Sequence, residues 1–94
     1  MKATIDGKRY DTDRCEVLGE HDHHSLQGNY SGTTRLLRAS NGELLLWTDS
    51  NGQDLYLRDR LWKFGGDENW AIDDFEMDEE QEKRAEELGL IEVV

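Results

Sequence analysis

The N-terminal apolar positions sit in two short runs, Lys2-Ala-Thr-Ile5 and Lys8-Arg-Tyr10, on either side of Asp6-Gly7. Asp-Gly supplies the positive backbone dihedrals of a two-residue type I′ turn, so this spacing predicts a short hairpin. Asp11 or Thr12 then caps a predicted short helix through Leu18, with Cys15 and Leu18 on its inner side and Gly19 closing it. Residues 19–28, Gly-Glu-His-Asp-His-His-Ser-Leu-Gln-Gly, are polar and aperiodic and read as a loop. From Asn29 the pattern changes. The runs Asn29–Ala39, Glu43–Asp49 and Asp54–Asp59 are rich in β-branched, aromatic and leucine residues and are separated by Ser40-Asn41-Gly42 and Ser50-Asn51-Gly52. Two Asn-Gly turns between apolar runs predict a three-stranded antiparallel meander.

In the middle strand Leu44 and Leu46 face one way and Leu45 and Trp47 the other, so both of its faces are expected to be covered. Leu55 and Leu57 alternate with Tyr56 and Arg58, the pattern of a half-buried strand, and Leu61-Trp62-Lys63-Phe64 extends the sheet until Gly65-Gly66 breaks it. Trp70, Ile72 and Asp74 fall at alternating positions, as in a further short strand or an extended crossing segment. Asp78-Glu79-Glu80-Gln81 has the form of a capping box, and predicts a helix over Glu79–Leu88 stopped by Gly89. The apolar face of that helix is thin, with Ala85 and Leu88 aided by the stems of Gln81 and Arg84. Leu90–Val94 either returns as a terminal strand or packs loosely. The expected architecture is α+β: a three-stranded meander and a short N-terminal hairpin packed with a C-terminal helix.

At 94 residues the chain is one small domain, with room for one core and one principal surface. Three Trp, three Tyr, two Phe and a set of leucines are core material enough to disfavour wholesale disorder. Charge changes the picture most. Twenty-two acidic side chains against eleven basic ones give a formal net charge of −11. Direct binding to nucleic acid or to an anionic membrane needs a dense cationic footprint, so the sign points to basic partners instead. Twelve acidic residues and only two basic ones fall in residues 67–94, which makes that stretch an acidic C-terminal module on a nearly neutral body. A single cysteine, Cys15, and the absence of any apolar run of signal-peptide or membrane-spanning length lead to the expectation of a cytoplasmic protein.

The module carries the candidate partner-binding residues: Asp73, Asp74, Glu76, Asp78, Glu79, Glu80, Glu82, Glu86 and Glu87. Helical spacing offers Lys83 to Glu79 and Arg84 to Glu80, but sets Glu82 against Glu86, so the run is not self-compensating. A helix of this charge density is suited to act as a rigid decoy for phosphates. A solvated, solubilising face is the plainer reading of the same residues.

Other motifs add less. His21, His23 and His24 near Cys15, Glu20 and Asp22 have zinc-ligand chemistry, yet the spacing fits no standard site, and a polar loop accounts for them. Asp49-Ser-Asn51-Gly52-Gln-Asp54 lacks the third-position Asp and the bidentate Glu of a calcium loop and reads as a hairpin turn. Arg35, Arg38, Arg58, Arg60 and Lys63 form a patch or, on the simpler view, balance local carboxylates, while Trp47, Trp62 and Trp70 read as core or interface residues. No Gly-x-Ser-x-Gly, phosphate-cradling glycine loop or Cys-x-x-Cys is present, so no enzymatic activity, cofactor or metal is expected.

Thr4-Ile5-Asp6-Gly7-Lys8-Arg9-Tyr10-Asp11-Thr12, followed by a strand, a turn and Gly42-Glu43-Leu44-Leu45-Leu46, resembles short proteins encoded by phages and mobile elements. With its size and acidity, the chain is similar to the small inhibitors that phages direct against host defence, anti-CRISPR proteins above all and anti-restriction DNA mimics second. The resemblance implies a stoichiometric inhibitor without catalysis that acts inside the bacterial host, while the covered middle strand fits a monomer or a homodimer alike. Its carboxylates would enter a Lys/Arg-lined nucleic-acid site of a CRISPR effector complex and block target DNA recognition. An acidic immunity or antitoxin-type protein that neutralises a basic toxin uses the same charge, and a metal-dependent enzyme or sensor built on Cys15, His21, His23 and His24 is the third reading.

Overall fold

The computed structural model describes residues 1–24, 31–49, 59–65 and 70–94. Strands β1 (Lys2–Ile5) and β2 (Lys8–Asp11) form the expected hairpin, pairing Ile5 with Lys8 across a turn in which Asp6 and Gly7 have φ of 51° and 77°. A four-stranded antiparallel sheet follows in the order β3 (Glu16–His24), β4 (Ser31–Arg38), β5 (Leu44–Asp49), β6 (Arg60–Lys63). Helix α1 (Glu79–Glu87) completes the described elements. The protein is therefore α+β, with antiparallel sheets and a C-terminal helix.

Two expectations fail at β3. Instead of a helix through Leu18, only a single 3-10 turn forms at Thr12–Arg14, with the Asp11 carboxylate accepting from the Asp13 amide. The buried Thr12 hydroxyl accepts from the Met1 amino group at 2.9 Å, and the Thr12 amide donates to the Met1 carbonyl. The chain then enters β3 and remains a strand through His24, where a loop was expected from Gly19; residues 25–28 of that expected loop lie outside the described residues. The physical reason is tertiary. β3 pairs with β4 from Glu16↔Arg38 to His24↔Ser31, and this ladder overrides a composition in which histidines and carboxylates alternate in place of apolar and polar residues.

The Ser40-Asn41-Gly42 turn joins β4 to β5 as expected, with the Asn41 side chain accepting from the Glu43 amide. The Ser50-Asn51-Gly52 turn and the strand expected over Asp54–Asp59 lie outside the described residues, apart from Asp59. The described strand beside β5 is β6, which takes Leu61, Trp62 and Lys63 from the run read as an extension of the sheet.

Leu36, Leu37, Leu45 and Leu46 are all fully buried, so the two central strands are covered on both faces. On one face Leu37, Leu45 and Leu61 pack with Tyr10 of the hairpin and Ala39, flanked by Ala3, Ile5, Cys15, Val17 and Trp47. On the other, Leu18, Leu36 and Leu46 pack with Phe75, flanked by Trp62, Trp70, Ile72, Met77, Leu88 and Leu90. The segment Trp70–Asp78 is an extended crossing with one 3-10 turn at Ile72–Asp74, and it pairs with β3 through mutual Glu20 and Glu76 backbone hydrogen bonds of 3.0 and 2.7 Å. Leu90–Val94 forms no strand; Leu90 and Ile91 are half-buried and Val93 and Val94 exposed. Among the described residues no helix is long and apolar enough to cross a membrane.

The crossing segment can dock because of Gly19. A Cβ there would lie 2.9 Å from Phe75 Cβ and 3.3 Å from the Glu76 carbonyl oxygen, so any side chain displaces backbone. Gly19→Ala is expected to destabilise the fold by about 1–3 kcal/mol in urea denaturation, the usual cost of overpacking; a loss below about 0.3 kcal/mol is incompatible with this packing.

The hairpin is tied to the sheet by Lys63, whose ammonium lies 2.6 Å from Asp6 and 3.7 Å from Glu43. The Lys63 hydrogen bond and charge hold the Asp6 carboxyl below the usual aspartate range, and the same bond raises Lys63. The tie is therefore complete above the unfolded aspartate value of about 3.9 and is lost as pH falls through the depressed Asp6 value. At the alkaline end it is complete below about 10.4 and is lost as pH rises through the raised Lys63 value. Urea midpoints of wild type and Asp6→Asn are expected to differ by a small constant amount between about pH 5 and 9 and to converge only as pH falls through the lowered Asp6 value, below the usual aspartate range.

Candidate functional site

Helix α1 is built to hold charge in place. The Asp78 carboxylate accepts from the Gln81 amide at 2.8 Å and the Gln81 side-chain oxygen accepts from the Asp78 amide at 2.9 Å, which completes the expected capping box. The amide of Gly89, at φ 76°, donates to the Glu86 carbonyl, and Leu90 donates to Ala85. Gly89 is the residue that tolerates this left-handed stop. Ala85 is fully buried and Leu88 packs against the cluster of Leu18, Leu36, Leu46 and Phe75, so the helix rests on the sheet through a thin apolar edge. Gln81 adds a long hydrogen bond of 3.4 Å to the Val17 carbonyl.

All nine candidate carboxylates are exposed. Glu79, Glu80, Glu82 and Glu86 come together with Lys83 around one surface depression of about 400 Å³. The others are placed differently. Asp78 is the helix cap, and the Asp74 carboxylate accepts from the Ala71 amide at 2.8 Å while its carbonyl faces His21 Nδ1 at 3.0 Å. Glu76 sits in the bridge to β3, and Asp73 lies on the preceding 3-10 turn. Glu87 is paired with Arg84 at 3.1 Å.

Arg84 departs from the expected i,i+4 pairing with Glu80. It turns inward to Glu16 of β3 at 3.0 Å and to Glu87, and these bonds raise its already high pKa. Neither Glu79 nor Glu80 forms an ion pair among the described residues. Sequence spacing alone could not anticipate this, because Glu16 is 68 positions away. Glu20 is also missed by any linear count of the acidic module. It is exposed on β3 directly opposite Glu76, although Arg35 approaches it at 3.6 Å.

Among the described residues the sheet's basic side chains do not converge into a patch. Arg35 lies between Glu20 and Asp49 with its guanidinium 4.8 Å from the Trp47 ring, and Arg60 lies 4.5 Å from the Trp62 ring on the opposite face. Lys63 holds Asp6 and Glu43, and Arg58 lies outside the described residues. His21 and His23 share one face of β3, their rings 4.9 Å apart and each edge-on to Trp70. Cys15 packs against the other core cluster, so thiol and imidazoles lie on opposite sides of the sheet. Among the described residues no group of three or more His, Cys, Asp or Glu side chains is arranged to hold a metal ion.

Removing the cap tests whether α1 is locally fastened. Asp78→Ala is expected to cost about 1 kcal/mol of stability, with loss of amide-exchange protection concentrated in residues 79–83; unchanged protection there contradicts a capped, rigid acidic face. Compared with known proteins, the chain matches no family model, no curated protein and no solved structure.

Proposed function

We propose that the protein is a non-enzymatic, stoichiometric inhibitor that presents the acidic face of α1 to a basic nucleic-acid-binding site, acting as a DNA mimic. The observation that carries this reading is the set Glu79, Glu80, Glu82 and Glu86: exposed, without ion-pair partners among the described residues, and mounted on a helix capped at both ends. Residues 79–86 rise along about 10 Å of helix axis, and one strand of B-DNA places a phosphate about every 3.4 Å. Four carboxylates over that length match or exceed the phosphate density of one strand.

A cationic groove gains from this arrangement in two ways. Coulomb steering speeds encounter, and fixed carboxylates need little ordering on contact. Among the described residues Lys83 is the one cation lining this face, so the field stays strongly negative. The class of target is taken from the resemblance: Thr4–Thr12 and Gly42–Leu46 resemble short proteins of phages and mobile elements, and size and acidity together make the chain similar to phage inhibitors of CRISPR effector complexes, whose target-reading subunit would be met in the bacterial cytoplasm. Asp73, Asp74, Glu76, Asp78 and Glu87 extend the same negative surface at its margins.

Reversing Glu79, Glu80, Glu82 and Glu86 to lysine is expected to abolish inhibition of DNA binding by the effector while circular dichroism and the urea midpoint show a folded chain. Wild-type affinity is expected to fall at least about tenfold between 50 and 300 mM salt. Inhibition by the reversed protein equal to that of the parent sinks the proposal.

A further inference from the structure

A second charged surface has the opposite sign. A cavity of about 470 Å³ opens where the hairpin, the Thr12–Arg14 turn and the β4–β5 turn meet, and Lys2, Lys8, Arg9 and Arg14 all line it, with Asp11 the one carboxylate among the described lining residues. Its volume lies within the usual range for small-ligand sites, about 300–1,000 Å³.

The four cations differ from those that build the fold. Acids outnumber bases 22 to 11 in this chain, and Arg35, Lys63 and Arg84 each take two carboxylates. Lys2, Lys8, Arg9 and Arg14 are exposed, and none of them forms an ion pair among the described residues. Local structure gathers them from three elements. Register pairs Lys2 with Asp11, and the 3-10 turn brings Arg14 back beside the hairpin. The floor is fixed: Tyr10 is buried, and its hydroxyl accepts from the Asn41 side chain at 3.1 Å.

We propose that this cavity binds the phosphate group of a small phosphorylated compound. Two guanidinium forks and two ammonium groups supply the planar and point-charge donors that a phosphate dianion accepts. Within the described lining one carboxylate stands against four cations, and Asp6, which lies close enough to Lys8 to feel its charge, is held by Lys63, so a dianion meets a local positive excess. The net charge of −11 repels an extended polyanion, whereas a small anion meets only the local field. The site is independent of the acidic helix face, since the hairpin and α1 pack against opposite faces of the sheet.

Cys15 supplies a reporter. It is the chain's single cysteine, half-buried in the cavity lining, and its thiol donates to the Asp11 carbonyl at 3.3 Å. Pyrophosphate titrated into the full chain is expected to produce saturable amide shifts across residues 8–15 and 40–41, with Kd no weaker than about 1 mM, and to slow alkylation of Cys15. Arg9→Gln/Arg14→Gln is expected to weaken binding at least about tenfold while Lys83→Gln leaves it unchanged. Adenosine monophosphate competing with pyrophosphate at the same signals identifies a nucleotide-type ligand, and pyrophosphate binding without that competition identifies a free phosphate anion. Shifts that never saturate, equal weakening by Lys83→Gln, or tighter binding of a single-stranded oligonucleotide at equal phosphate concentration overturns the assignment. Retention of pyrophosphate binding by the helix-reversed protein separates failure here from failure of the acidic-face reading.

Discussion

Burial of the two central strands on both faces is the constraint on which the rest of the structure depends. Leu36 and Leu37 in β4 and Leu45 and Leu46 in β5 are consecutive residues, so each pair points to both sides of the sheet, and all four are fully buried. Each contributes about 2 kcal/mol through removal from water. A four-stranded sheet with two apolar faces needs two covering layers, and a chain of 94 residues has little else from which to make them. The N-terminal hairpin closes one side through Tyr10 and Ile5, and the Trp70–Leu90 segment closes the other through Phe75, Met77 and Leu88. Gly19 matters because it lets the second layer approach the sheet at backbone contact distance.

Two-sided covering also separates the charges. The hairpin and its adjoining turn carry Lys2, Lys8, Arg9 and Arg14 around one cavity, while α1 and the crossing segment carry the unpaired glutamates on the other side. Cations with carboxylate partners act as seams: Lys63 fastens the hairpin to β6 and the β4–β5 turn, and Arg84 fastens α1 to β3. Glu79, Glu80 and Glu82 occupy the first turn of α1, where the helix dipole offsets part of their mutual repulsion. Glu86 and Glu87 lie at the unfavourable end, and Arg84 relieves that end by binding Glu87.

One polar line crosses the apolar face beneath the second layer. His23 Nε2 lies 2.6 Å from the Thr34 hydroxyl, which lies 2.7 Å from the Thr48 hydroxyl. Thr34 is fully buried, and these contacts satisfy a group that would otherwise carry a desolvation cost. Trp70 covers the line by meeting both His21 and His23 edge-on while stacking on Phe75 at 5.3 Å. This covering packs the histidine side chains of a strand that the β4 ladder holds.

Local sequence by itself determined the Asp6-Gly7 hairpin, the Asn41-Gly42 turn, two-sided burial of β5, the Asp78/Gln81 capping box and the Gly89 stop. Each depends on dihedral preferences or alternation within a few residues, and so did the location of the acidic stretch. Tertiary structure alone decided the rest. The Glu16–His24 strand exists because β4 supplies its hydrogen bonds, and Thr12–Leu18 is not a helix because Glu16–Leu18 are needed for that ladder and its bulge. Arg84 leaves Glu80 for Glu16, and four dispersed N-terminal cations become one cavity, through contacts between segments distant in the chain. Alternation and turn chemistry act over a few residues, whereas the partner of a charge is whichever group the fold brings within a few ångströms.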